Sequence, residues 1–338
     1  MDAVRRFLTP SRLAAVGLVL LALAVAILFL VPSDDYLFLP NEAKPVAPLV
    51  SVAGRQSPED DGQIYFVDVL VRRASVLERL FPGIHDGASL VSKRALNPTG
   101  LSDAARRRTS LNEMDRSEQI AAAVALRQAG YTVDADPAGA LIEGVIPDTP
   151  AATTLRPTDV VVEANGRRVR TPGDLRRALE SVAPGDEVAL AFRRGDEREQ
   201  VRLRTIAARG EPKRAAIGVF VSQAAEIKLP LDVRIDAGPV GGPSAGLPFA
   251  LEVLEKLGKD ADHGLDIAAT GEIELDGSVG PVGGLKQKTI AAKDAGVDLF
   301  LVPAGENAAE ARRHANGLRI VPVRTFQQAL RALATAAG

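Results

Sequence analysis

TGEIELDGSVGPVGGLKQKTIAAKDAGVDLFLVP, residues 270–303, carries a hairpin, a helix and a buried strand in one stretch. Asp276-Gly277 is a tight-turn pair, and LFLVP (299–303) is a short apolar strand. Between them a helix is expected over 285–295. Lys288 shares a face there with Leu285, Ala291, Ala292 and Ala295, whereas Lys286 and Lys293 lie on another face. Lys288 is therefore the lysine placed to be buried. Burial disfavours the ammonium form, and an amine lowered from ~10.4 to roughly 7–8 can act as a base. Taken alone, a helical lysine more often snorkels to water.

Working outward, GPVGGPSAGLPFALEVLEKLG (238–258) sets Ser244 between a glycine-rich loop and a helix expected over 245–257. The helix has an apolar stripe of Leu247, Ala250, Leu251, Leu254 and Leu257. Backbone N–H groups converge at such a start, where an oxyanion can be held, and Gly241, Gly242 and Gly246 allow close approach. Alone, a serine here is most often a cap. Strands at 231–236, 299–303 and 318–323 alternate with helices expected at 306–314 and 325–336, which reads as an α/β (α+β) domain over 215–338.

Together the two segments resemble the proteolytic domain of the Lon peptidase family. GPSAG around Ser244, the Thr270-Gly271-Glu272 triplet, the GxVxPVGGLKxK ending at Lys288 and the AAxxAGxxxFLVP after it follow the family in order and spacing, over about 215–325. The resemblance implies a serine–lysine dyad: Ser244 as nucleophile, Lys288 as general base, and the Thr270 hydroxyl orienting the lysine. Gly241 and Gly242 belong to the supporting loop, with N–H groups near Gly242 and Ser244 holding the oxyanion. ATP-dependent members commonly have Asp three residues before the serine, where this chain has Gly241. No GxxxxGK[ST] phosphate loop occurs, since Gly258-Lys259 is followed by Asp260. The resemblance implies no cofactor and no metal.

Residues 140–206 form another compact α/β segment, with strands expected at 159–163, 187–193 and 199–205 and tight turns at Asn165-Gly166 and Gly195-Asp196. Thr171 is a helix cap, and the following helix shows Leu175, Ala178, Leu179 and Val182 on one face. VIPDTPA (145–151), LRPTDVVVEANG (155–166), TPGDLRRAL (171–179) and RRGDERE (193–199) resemble a PDZ domain of the bacterial protease-associated kind. Thr158-Asp159 stands where that family usually has Gly-Asp. A PDZ domain adds an extended peptide end to a strand edge beside its helix. The expected groove residues are Ala129, Gly130 and Tyr131 as the carboxylate loop, with Leu175 and Leu179 on the helix; an empty spacer is the alternative. The unit is expected over 63–207, with its core at 130–207. Its N-terminal extension holds a strand at 63–73, a polar loop over 82–110 with Arg106-Arg107-Arg108, and a helix over 114–129. AARGEPKRAA (207–216) reads as a separator.

Residues 13–32, LAAVGLVLLALAVAILFLVP, carry no charge and at 1.5 Å per residue span ~30 Å, the thickness of a bilayer core. A cleaved signal peptide is usually shorter and ends in an A-x-A-like site, so an uncleaved anchor is expected. Arg5, Arg6 and Arg12 precede it and Asp34 and Asp35 follow, which puts residues 1–12 in the cytoplasm and the catalytic domain outside. Residues 33–62 read as a linker. The combination resembles bacterial membrane-anchored proteases, single-pass, acting on accessible or unfolded protein segments.

Lys+Arg 41 against Asp+Glu 43 gives net charge −2, which argues against a nucleic-acid partner. Apolar residues at 46% exclude a mainly disordered chain, and zero cysteines exclude a thiol nucleophile and a disulfide scaffold. His85, His263 and His314 are followed by Asp, Gly and Ala, so no HExxH exists. GPSAG also fits the G-x-S-x-G of α/β-hydrolases with Asp298 and His314 in order, although only 94 residues follow Ser244. The rival from another class is a non-catalytic, membrane-anchored PDZ scaffold. Lon-like domains resemble one another in forming rings, which implies a homo-oligomer, a hexamer being the size expected.

Overall fold

The computed structural model describes residues 10–55, 62–96, 103–170, 172–208 and 211–337; Arg5, Arg6 and Thr171 lie outside them. Helix α1 (Pro10–Leu30) has 21 residues, with side chains described from Ala14 onward, and Leu18, Leu21 and Leu30 are exposed. Among the described residues no helix is long and apolar enough to cross a membrane.

The expected linker is not one. Residues 33–62 carry most of β1 (Pro32–Pro40), then β2 (Lys44–Pro45) and β3 (Val50–Val52), and they bury Leu37, Val46, Val50 and Val52. The apolar residues of these strands find partners far along the chain, in strands Val69–Ser75 for β1 and Val233–Ile235 for β3. The expected strand 63–73 is two strands, β4 (Gln63–Phe66) and β5 (Val69–Ser75), broken at Val67-Asp68. Strand β5 pairs with β1, whose other edge takes β6 (Ser89–Ser92). Short helices α2 (Val76–Leu80) and α3 (Lys93–Leu96) flank these strands.

Helix α4 runs from Asp103 to Gln128, so Arg106-Arg107-Arg108 lies on a helix and not in a loop. Arg106 pairs with Asp103 one turn earlier and stacks 5.0 Å from the Tyr36 ring, which gives the charged run a partner outside its own segment. The helix ends at Gly130 (φ 95°), where the Tyr131 N–H returns to the Leu126 carbonyl.

Next comes a self-contained unit: β7 (Asp134–Val145), β8 (Val160–Ala164), β9 (Arg167–Arg168), helix α5 (Pro172–Glu180), β10 (Glu187–Arg194), β11 (Glu197–Arg204), β12 (Ile206–Ala208), β13 (Glu211–Ala216) and β14 (Val219–Lys228). The main sheet has the order β11-β10-β8-β7-β14 and its own core around Ile142, Val161, Leu190, Phe192 and Ile217. The expected separator 207–216 is the β12–β13 hairpin of this unit. Thr158, standing for the family's glycine, takes φ 78°, the left-handed region in which a β-branched residue is strained. Asp159 beside it is buried and gripped by Arg194 through two bonds of 2.8 and 2.7 Å.

The chain then returns through β15 (Val233–Ile235), which pairs with β3, and enters α6 (Gly246–Lys256). The remaining elements are β16 (Asp266–Ala269), β17 (Glu272–Ile273), β18 (Val279–Gly280), α7 (Leu285–Asp294), β19 (Leu299–Pro303), α8 (Glu306–His314), β20 (Arg319–Val323) and α9 (Phe326–Ala337). The central sheet has the order β2-β4-β16-β19-β20, parallel except for β2. Helices cover both faces. Ile267, Leu299 and Leu301 pack into one core with α4, α6 and α9; Ala268, Phe300 and Val302 pack into the other with α7 and α8. That division explains why LFLVP is apolar throughout.

The extension 63–128, expected with the PDZ unit, therefore belongs to this α/β core, and the smaller unit is inserted between α4 and β15. A fragment of residues 215–338 lacks Ile64, Phe66, Ile120 and Leu126, each worth ~1.5–3 kcal/mol buried against a typical net stability of ~5–15. It should show no cooperative thermal transition, whereas residues 131–230 should unfold cooperatively alone; a sharp transition in the former removes the nested arrangement.

Candidate active site

The site lies at the carboxyl ends of the parallel strands. Thr270 follows β16 directly and Asp68 stands two residues past β4, its neighbour in the sheet. Thr270 is fully buried, with its N–H on the Leu301 carbonyl at 3.0 Å. Lys288, in the second turn of α7, is 3% exposed and donates from Nζ to Thr270 Oγ1 at 3.0 Å. The Thr270 hydroxyl donates in turn to the Ser244 carbonyl oxygen at 3.1 Å, which also accepts the Gly271 N–H at 2.9 Å. One hydroxyl thus links the residues that the sequence singled out, although they stand on three elements.

Burial pushes the Lys288 amine down to about 7, against a smaller upward pull from the Asp68 carboxylate. Asp68 is itself held by Asn41 Nδ2 at 2.6 Å and Lys44 Nζ at 3.1 Å. Both partners come from the segment read as a linker, and nothing local in sequence marked them.

Ser244 sits in a 3₁₀ turn, Pro243–Ala245, just ahead of α6. Its carbonyl is engaged as described, while its Oγ has no hydrogen bond to Lys288 among the described residues. Gly242 (φ 91°) was expected to offer its N–H to an oxyanion; that N–H instead donates to the Ser110 carbonyl of α4 at 2.7 Å. Two turns further along α4, buried Ser117 donates to the Pro243 carbonyl at 3.1 Å. The loop lies so close to α4 that a Cβ on Gly241 would stand 2.8 Å from Ser110 Cβ. That closeness leaves no room for a side chain at position 241 without a shift of α4 or the loop.

A cleft of about 260 Å³ opens between α4, the β17 hairpin and the inserted sheet, with Pro243 in its wall. Burial pushes Glu113 and Glu272 up to about 7, with Glu143 adding to the rise in both and Arg116 opposing it.

The other expected residues fall elsewhere. Ala129, Gly130 and Tyr131 close α4 against the α/β core, with the Tyr131 hydroxyl accepting from Arg55 at 3.1 Å, so they form no carboxylate loop. Leu175 and Leu179 are buried in the core of the inserted unit. Among the described residues the sheet's two edges are β11 and β14, and β14 is the one that lies beside α5. The alternation of VFVSQAAEIK after Gly218 was its sequence signal. Asp298 accepts the Asp266 N–H at 3.0 Å, at the opposite end of β16 from Thr270, which removes the α/β-hydrolase arrangement.

Residues 199–335 match the Lon protease (S16) C-terminal proteolytic domain, and residues 113–205 match a PDZ domain. The chain is 38% identical over 141 residues to a Lon protease of Phenylobacterium zucineum, covering 42% of this chain and 16% of that one. To a Lon protease of Roseiflexus castenholzii it is 34% identical over 160 residues, covering 47% and 19%. It thus spans under a fifth of these relatives. The crystal structure of the PDZ domain of an SdrC-like protein from Listeria monocytogenes is 25% identical over 25% of this chain and 87% of that one, with a TM-score of 0.24. The two matched ranges overlap at residues 199–205, and the PDZ match also takes in residues 113–131, which in the structure end helix α4 against the α/β core.

An amine that titrates near 7 is a competent base only above that value. Activity should fall about tenfold per unit of pH below roughly 7, a limb read from kcat/KM profiles. Between about 7 and ~10.4 the unfolded chain holds the proton that the folded chain has lost, so stability rises with pH through that window. Lys288→Met removes the buried amine. It should stabilise the fold by on the order of a few kcal/mol at pH 7 and progressively less toward pH 10, measured by thermal unfolding.

Proposed function

From a chain that joins a PDZ domain to a Lon-type (S16) proteolytic domain of the serine peptidase family, we propose an ATP-independent serine endopeptidase that uses Ser244 and Lys288. The observation that carries this is the dry Lys288 amine, whose hydrogen-bond partner, Thr270 Oγ1, also holds the Ser244 backbone. A fold does not bury an amine on a bare hydroxyl for stability, because each desolvated charge costs several kcal/mol.

In the proposed reaction the Ser244 turn adjusts so that Oγ reaches Lys288. The neutral amine takes the hydroxyl proton while Oγ attacks a peptide carbonyl carbon. The oxyanion is held by backbone N–H groups of the Gly242–Ser244 turn, with Gly242 first leaving Ser110. Lys288, now ammonium, gives its proton to the departing amine, and the acyl group stays on Oγ. Water then loses a proton to Lys288, attacks the ester, and Ser244 recovers its hydrogen. No phosphate loop lies in the chain, so substrates are segments already unfolded or accessible. The PDZ domain recruits or positions extended peptide ends along the β14 edge.

A membrane location is part of this proposal, and the apolar surface of α1 is what supports it, although among the described residues no helix is long and apolar enough to span a bilayer. Helix α1 exposes apolar residues all round, including Val19, Leu20, Leu21 and Leu23, and it leads directly into β1. A bilayer is the solvent that suits such a surface, with residues from β1 onward outside the cytoplasm.

Ser244→Ala and Lys288→Ala should each lower cleavage of an unfolded protein substrate by at least ~10³-fold, followed by gel or fluorescence assay. A serine-directed acylating reagent should label Ser244 in the wild type only. Undiminished cleavage in either variant would overturn the dyad, and the absence of both cleavage and label in the wild type would leave the non-catalytic scaffold as the better reading.

A further inference from the structure

Helix α4 touches two things that the proposed chemistry does not connect. On one side it grips the Ser244 turn, through the Ser110 carbonyl on the Gly242 N–H and the Ser117 hydroxyl on the Pro243 carbonyl. Glu118 adds a third hold by accepting the Ala237 N–H at 3.2 Å. Arg116, next to Ser117 and so about 100° round the helix, reaches the inserted domain instead. Its guanidinium donates to Ser222 Oγ on β14 and lies 3.7 Å from Glu143 Oε1 on β7.

The charges around Arg116 show what it does. Among the described residues lining the interdomain cleft it is the sole cation. Glu143 faces the cleft from the PDZ sheet; Glu113, Glu272 and Glu274 face it from the proteolytic domain. Without the guanidinium, carboxylates of like charge oppose one another across the gap. Arg116 is therefore what holds the two walls together there, and it sits on the helix that holds the nucleophile turn.

We propose that α4 is an autoinhibitory clamp, kept shut by the PDZ domain through Arg116, and that displacement of that domain frees the Gly242 N–H for the oxyanion. The catalytic consequence rests on the Ser244–Lys288 reading; the clamp itself does not. In the shut state the turn is latent, with one oxyanion donor spent on Ser110 and Ser244 Oγ not yet on its base. A shift of the inserted domain acts on a rigid helix and is delivered two turns away, where a single N–H is released.

The test measures hydrogen–deuterium exchange of peptides spanning 238–247 in the full chain, together with acylation of Ser244 by a fluorophosphonate. Arg116→Ala and, from the other side of the contact, Ser222→Ala are compared with wild type, with melting temperature recorded for each. Exchange at Gly242 should accelerate about tenfold in Arg116→Ala and less in Ser222→Ala, with acylation rising in parallel. Unchanged exchange in both folded variants overturns the clamp, and with acylation equal throughout the peptidase reading stands. Faster exchange with no acylation in any form keeps the clamp and sinks the peptidase reading.

Discussion

A single amine held out of water organises this molecule. Lys288 can be buried only because α7 packs Leu285, Ala291 and Ala292 against the sheet around it, and because Thr270 gives its Nζ one partner. Thr270 can serve only because its backbone is fixed to β19 and its hydroxyl bridges to the Ser244 carbonyl. The arrangement costs stability and returns basicity near neutral pH. Asp68 moderates the cost with a carboxylate anchored by Asn41 and Lys44, so the earliest strands of the domain reach the site through charge.

The second constraint is the insertion. The α/β core is assembled from residues on both sides of the PDZ domain, and α4 and β15 form the junction. Helix α4 is thus simultaneously a core element, through Ile120 and Leu126, the wall of the nucleophile loop and the seat of the interdomain contact. A domain tethered at a chain end could drift without consequence for the core. One inserted between two core elements cannot move without loading them.

What the sequence made legible follows the range of the interactions involved. Helices 285–295 and 245–257 and strand 299–303 were readable because periodicity, glycine turns and the serine–lysine spacing all lie within short windows. The buried face of Lys288 was readable for the same reason. Strands β1 to β3 were not, since their partners β5 and β15 stand far along the chain and prolines break the local alternation. Arg107 and Arg108 are exposed, as a solvated run should be; the contact of Arg106 was hidden because Tyr36, against which it stacks, is seventy residues away. Ala129 to Tyr131 were assigned to the wrong domain because a linear reading takes neighbours in sequence as neighbours in a domain, which an insertion breaks. The hold on the Gly242 N–H was not legible because its acceptor, Ser110, precedes the whole PDZ domain.

The departure at position 241 ties these threads together. Sequence alone registered only that glycine replaces a common acid. The structure adds the distance from that backbone to Ser110, where no side chain fits without a shift of α4 or the loop. An acid at 241 would force α4 away from the loop, and with α4 displaced the Gly242 N–H would lose Ser110. The glycine and the closed turn are consequently one feature seen twice: the helix can lie against the nucleophile loop only because position 241 has no side chain. A chain with an acid there must hold its loop by other means, so the mode of control should vary with that residue while the lysine, threonine and serine remain as they are.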